Sequence, residues 1–173
     1  GGLDLIKIDS QGNEIWKKGN FNFGNGWGAM TALQVTSDNG FILGAGNTII
    51  KVDSSGDEVW SQTYDFDNGG SSENIRDIKQ TSDGGFIAAG WYECVRNMDC
   101  YPDMFILKTD ADGNEEWSRI EASSSNNNDW GRDAIQTQDG NYVIAGTWND
   151  DGWNSTASLR KYDINGDLTW SNT

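Results

Sequence analysis

Residues Lys7–Trp16 read KIDSQGNEIW, and the same frame returns as KVDSSGDEVW at 51–60, KTDADGNEEW at 108–117 and KYDINGDLTW at 161–170. Within each copy an Asp is followed three places later by Gly. That pairing marks a tight turn, because an Asx side chain bonds its own backbone and glycine accepts a positive φ without strain. Strand-forming residues flank the turn, so each copy is read as a hairpin that ends on a tryptophan. The turn aspartates, at 9, 53, 110 and 163, recur at intervals of about 50 residues.

A second element lies between the copies of the first: TSDNGFILGAG at 36–46, TSDGGFIAAG at 81–90 and TQDGNYVIAG at 137–146. Its Asn-Gly or Asp-Gly turn between β-rich runs is a strong short-range hairpin signal. Two linked hairpins make one four-stranded antiparallel sheet per repeat, with strands named a to d in chain order. Repeats of this length and strand number predict an all-β, β-propeller-like array of blades, each burying its faces on its neighbours. A helical solenoid is excluded by the absence of 3.6-residue apolar spacing and by alternation such as Ile50/Val52 and Phe105/Leu107. The predicted units are a half blade at 1–17 and full blades at 30–64, 74–120 and 132–172, or about three and a half blades. Small residues on strand b, Gly44, Ala45, Ala88, Ala89 and Ala145, suit close approach of sheet on sheet. Propellers close with four to eight blades, so the expectation is a partial propeller, completed by other chains or cut from a longer one.

Composition narrows the function. Across 173 residues the net charge is -15 and histidine is absent. Nucleic acid is therefore excluded as a partner, since phosphate binding needs a basic stripe, and anionic membrane surfaces are disfavoured for the same reason. No apolar run reaches the roughly 18 residues of a membrane helix, so no membrane insertion is expected. Cys94 and Cys100 stand close together in a polar segment and read as a loop-closing disulfide, which implies an oxidising, extracellular or cell-surface setting. With no initiating Met, the chain reads as a mature secreted protein or a piece of one.

On D-x-x-G-[ND]-x-x-W and T-x-D-[GN]-[GN]-[FY]-[IV]-x-x-G, the chain resembles the repeats of secreted bacterial and archaeal β-propeller surface proteins. These motifs cover nearly the whole chain, and the resemblance implies the propeller fold but no activity. The Asp-box of sialidase-like propellers and the tryptophan-docking repeat of quinoprotein dehydrogenases are distantly similar. Their Asp-to-Gly or Gly-to-Trp spacings differ, so neither chemistry is carried over.

Trp16, Trp60, Trp117 and Trp170 hold one place in every copy and read as wedges between adjacent sheets, given the area a Trp buries. Asp9, Asp53, Asp110 and Asp163 read as turn-forming carboxylates. Calcium is the alternative ligand for the third turn, where Asp110, Asp112 and Asn114 place oxygen side chains at alternate positions; no other cofactor is expected. A catalytic site is not expected: there is no histidine base, no G-x-S-x-G elbow and no phosphate-cradling loop. The variable segments joining strands b to c and d to a carry aromatics outside the wedge position, namely Trp27, Trp91, Tyr92, Trp130, Trp148 and Trp153. These rings could stack on sugars, the competing reading being packing beneath long loops. Asn154-Ser155-Thr156 is a glycosylation sequon.

The function expected from the sequence is a non-catalytic extracellular module for adhesion or surface structure, with a loop rim that binds glycans. One alternative is a structural subunit that assembles with other copies of itself into a filament or layer; another is a fragment of a secreted glycoside-acting enzyme.

Overall fold

The computed structural model describes residues 3–23, 31–65, 71–94, 101–121, 128–148 and 156–172. Every regular element in them is a β-strand. The first sheet pairs β1 (Leu3–Ile8) with β2 (Glu14–Phe21). The second contains β3 (Ala32–Val35), β4 (Phe41–Ala45), β5 (Thr48–Val52) and β6 (Glu58–Thr63). The third contains β7 (Ser71–Gln80), β8 (Phe86–Cys94), β9 (Asp103–Thr109) and β10 (Glu115–Glu121). The fourth contains β11 (Trp130–Gln136), β12 (Tyr142–Trp148), β13 (Thr156–Tyr162) and β14 (Leu168–Asn172). Strands in each sheet are antiparallel and pair in chain order, so each four-stranded sheet is a meander of two hairpins. Among the described residues no helix is long and apolar enough to cross a membrane.

Both hairpin turns are built by aspartate. Asp9 Oδ1 accepts from the backbone N–H of Gln11 and Asn13 at 2.9 and 2.8 Å, and Asp53, Asp110 and Asp163 repeat this pair of bonds in their own turns. Gly12, Gly56, Gly113 and Gly166 follow with φ between +79° and +87°, which a side chain would strain. In the other hairpin, Asp38 and Asp83 accept from the N–H of Gly40 and Gly85 at 3.0 and 2.9 Å, and from the hydroxyls of Thr36 and Thr81.

A β-bulge recurs just before each tryptophan. Lys51 pairs with Trp60 but Val52 pairs with Glu58, so Val59 is the extra residue; the same step leaves out Ile15, Glu116 and Thr169. An extra residue re-aims the side chains beyond it. Here it puts the tryptophan opposite the lysine of the K-x-D frame.

Three apolar cores separate the four sheets. The first joins Leu5 and Trp16 to Leu43, Ile50 and Val52; the second joins Ile42 and Ile49 to Ile75, Ile78 and Phe86; the third joins Ile87 and Ile106 to Ala134, Tyr142 and Tyr162. Alternation along a strand serves two cores at once. On β9, Phe105 and Leu107 face the second sheet while Met104 and Ile106 face the fourth. Burial on both faces explains the unbroken apolar run Met104–Leu107 on β9, and every residue of β5 is likewise buried. Gly44 lets β4 approach the next sheet: a Cβ there would lie 2.8 Å from Ile75.

Three of the four repeat tryptophans are wedges. Trp16, Trp60 and Trp117 meet Phe41, Phe86 and Tyr142 of the following sheet edge-on, at centroid distances of 5.9, 5.8 and 5.6 Å. Their indole N–H groups donate to the carbonyls of Ser54, Ala111 and Ile164 in the next D-x-x-G turn, at 3.3, 3.1 and 3.1 Å. Each ring also lies against that turn's glycine, where a Cβ on Gly56, Gly113 or Gly166 would come within 2.9 Å of it. Trp170 departs from the pattern and is 44% exposed, because no described sheet follows it.

Candidate functional site

In a meander the a–b and c–d turns share one end of the sheet, and the b–c and d–a connections share the other. The repeated aspartate turns occupy the first end. Variable sequence is confined to the second, where the described residues include the ends of β8 and β12 and the starts of β9 and β11.

The aromatic candidates at this rim do not form one platform. Trp91 and Tyr92 are consecutive on β8 and so point to opposite faces; both are half-buried, and Tyr92 packs against the core shared with the second sheet. Trp130, half-buried at the start of β11, carries the Arg132 guanidinium 4.5 Å above its ring, and its indole N–H is buried without a hydrogen-bond partner. Trp148 is buried in the third core, with Arg160 only 3.4 Å from its ring centroid, which removes it from the candidate surface. Its alternation with Tyr142 and Ile144 on β12 was the signal for an inward position. Trp27, Trp153, Asn154 and Cys100, and with it the expected Cys94–Cys100 bridge, lie outside the described residues, as does the side chain of Cys94.

Two carboxylates at the rim were not singled out in the sequence. Asp103 begins β9 opposite Tyr92, and Asp129, fully buried, stands just before Trp130 with its N–H donating to the Pro102 carbonyl at 2.6 Å. Burial, reinforced by the neighbouring charge of Asp129, pushes the Asp103 carboxyl up to about 6. A carboxyl of this kind holds a proton at mildly acidic pH and donates it in a hydrogen bond; ionised, it accepts from hydroxyls or attracts a cation. The only sequence signal was that both residues sit in acidic rim segments beside aromatics.

A second carboxylate pair, Asp77 and Asp133, joins β7 to β11. Asp77 accepts from the Ala134 N–H at 3.1 Å, and Lys79 pairs with Asp77 and stands 3.7 Å from Asp133. A hydrogen bond shared with Asp77 raises Asp133. Burial alone would raise Asp77 as well, but its bonds to Asp133 and Lys79 outweigh that and hold it low. The pair bridges neighbouring sheets and is a structural feature.

At the third turn, Asp110 Oδ1 accepts from two backbone N–H groups and Oδ2 accepts from the Asn114 amide at 2.8 Å. Both oxygens are therefore engaged inside the turn, as they are at Asp9. Among the described residues no group of three or more Cys, Asp or Glu is arranged to hold a metal ion.

The lysine of the K-x-D frame was missed in the sequence. Lys51, Lys108 and Lys161 each reach across their own sheet to the aspartate of the T-x-D turn, Asp38, Asp83 and Asp139, at 2.8, 2.9 and 2.5 Å. Lys108 is 1% exposed, with Glu116 as a further partner at 2.7 Å. This bond clamps the two hairpins of a sheet together.

Fold and geometry together define a class: an all-β repeat protein of antiparallel sheets with one constant end and one variable end. No protein-family model and no curated protein matches the chain. Among solved structures it is similar to the crystal structure, at 1.35 Å resolution, of a protein of unknown function from Bacteroides caccae, with a TM-score of 0.60 and 13% identity. The match covers 99% of this chain and 58% of that one, so the chain spans little more than half of its length. At this identity the likeness concerns the fold.

Proposed function

We propose that the chain is part of a β-propeller whose blades are the four sheets, acting outside the cell as a non-catalytic module for adhesion or surface structure and binding carbohydrate at its loop rim. The observation that carries this reading is the rim between the third and fourth sheets. There, half-buried Trp91 and Trp130 accompany the partly buried Asp103 carboxyl, backed by the buried Asp129, while the opposite end is given over to repeated aspartate turns. Aromatic faces stack on sugar rings, and carboxylates accept from sugar hydroxyls; that combination distinguishes a glycan site from a purely apolar one.

The test is a glycan array read with the intact chain and with Trp91→Ala and Trp130→Ala, each checked for native circular dichroism. A bound glycan whose signal falls at least tenfold in a folded variant is the expected result. No glycan bound by the intact chain, or turnover of any glycoside, would overturn the reading. The exposed Trp170 favours a second role, as a self-assembling subunit of a filament or layer, because no turn among the described residues covers its ring as one covers each of its three equivalents.

A further inference from the structure

Arg76 and Arg132 stand at one place in two neighbouring sheets, each five residues before the threonine of its T-x-D turn. Each is the extra residue of a β-bulge: Ile75 and Asp77 pair with Gly90 and Ala89, and Gly131 and Asp133 pair with Gly146 and Ala145. A bulge re-aims a side chain out of the strand's alternation. The two bulges lie against each other, since a Cβ on Gly131 would come 2.9 Å from the Gly90 nitrogen and Asp77 accepts from the Ala134 N–H at 3.1 Å. The repeat does not require arginine there, because the second sheet has Thr31, whose hydroxyl donates to the Ile75 carbonyl.

In a chain of net charge -15, a cation ordinarily finds a carboxylate. Arg119 and Arg160 do, with Asp167 and Glu121 at 3.5 and 3.3 Å, and so does every described lysine except Lys7. Among the described residues Arg76 and Arg132 are the arginines without one. Asp77 and Asp133, next to them in the chain, are engaged with each other and with Lys79.

Both guanidinium groups keep donors to spare. Arg76 Nε is buried without a hydrogen-bond partner, and leaving the bond of a buried charged donor unmade is costly. Arg132, which is exposed, lies 4.5 Å above the Trp130 ring. Stacking holds a guanidinium by its face and leaves the N–H groups at its edge for an acceptor in the same plane, the geometry in which arginine takes a carboxylate through two bonds. The Trp130 indole N–H, likewise buried without a partner, adds a further donor.

We infer that Arg76 and Arg132 are the anion-binding half of the rim site and that its glycan is an acidic saccharide, whose carboxylate is held by the two guanidinium groups. The inference rests on the glycan reading above and narrows its ligand. Trp130 connects the two, since its ring belongs to the proposed sugar site and carries Arg132. The negative charge of the rest of the chain opposes the anion only weakly, because exposed charges beyond about 8 Å are largely screened at physiological salt.

The experiment is an array of sugar acids, each presented as the free carboxylate and as its methyl ester, which keeps every hydroxyl and removes the charge. The intact chain should bind at least one acid about tenfold or more above its ester, as charge-assisted hydrogen bonds require. Arg132→Gln and Arg76→Gln, checked for native circular dichroism, should each close most of that gap; Lys17→Gln, which removes a surface charge from the first sheet, should leave it. Because Arg76 is half-buried, a second measurement uses the unaltered chain, isotope-labelled so that the Arg76 and Arg132 Nε–H signals are followed by NMR as sodium glucuronate is added, with glucose and sodium chloride as controls. Saturable shifts of both signals with glucuronate alone are expected. Acid and ester bound alike, or a gap that survives Arg132→Gln, overturns the inference and leaves the glycan reading standing; no saccharide bound in either form removes both. Absence of shifts with glucuronate, or equal shifts with sodium chloride, also overturns it, since the arginines would then sense ionic strength at most.

Discussion

Residue-level electrostatics divide the carboxylates into two groups with opposite pH signatures. Asp38 is held well below the usual range by the hydrogen bond from Lys51, reinforced by the Thr36 hydroxyl, so its stabilising contribution is present at neutral pH and lost as pH falls below about 4. Asp103 behaves in the opposite sense. With a folded value of about 6 against an ordinary 3.8, the native state binds the extra proton between those limits, and stability falls as pH rises through that window. Asp103→Asn should therefore raise Tm at pH 7, and the gain should vanish below pH about 4; thermal melts at the two pH values check this. None of this was legible in the sequence. Asp38 and Asp103 are the same residue type in acidic surroundings, and the lysine beside one and the burial of the other next to a second carboxylate separate them.

For strands and turns the repeat serves as an internal control. Trp60 and Trp170 stand at the same place in the frame, but Trp60 is wedged between Phe86 and the Gly113 turn while Trp170 is 44% exposed. Trp60→Ala should cost about 2–3 kcal/mol, short of the roughly 3–5 kcal/mol for a fully buried aromatic because the ring is only partly buried. Trp170→Ala should cost under about 1 kcal/mol, as an exposed site does. Urea titrations of the two variants measure the difference. The hairpins, their turns and the wedge role of Trp16, Trp60 and Trp117 were legible because Asp, Gly and Trp each had a local physical reason to recur. The bulge before each tryptophan and the clamp lysine were not, since a bulge shows only once two strands are in register and the clamp links two hairpins.

On the scale of the whole molecule, stability should grade along the stack. The third sheet is covered on both faces and contributes to two cores, whereas the first is, among the described residues, a two-stranded ribbon in which both strands are edges. Isolated ribbons are marginal, and local opening follows burial. Native-state hydrogen exchange should find β1 amides least protected and β8 and β9 amides most protected; equal protection throughout would mean that the stack opens only as a unit.

By itself, the sequence determined the all-β class, the repeat, the two hairpins of each sheet and the residues that turn them, because these depend on contacts within about ten residues of chain. It also marked the variable rim as distinct from the repeated end. Tertiary structure alone decided which equivalent residues are equivalent in environment. Trp148 went into a core, Asp103 and Asp129 came together from neighbouring sheets, and Trp170 is exposed where its three counterparts are wedged. A side chain's neighbours across a sheet interface are set by the stacking of whole sheets, and a repeat specifies that stacking only where a sheet lies on both sides.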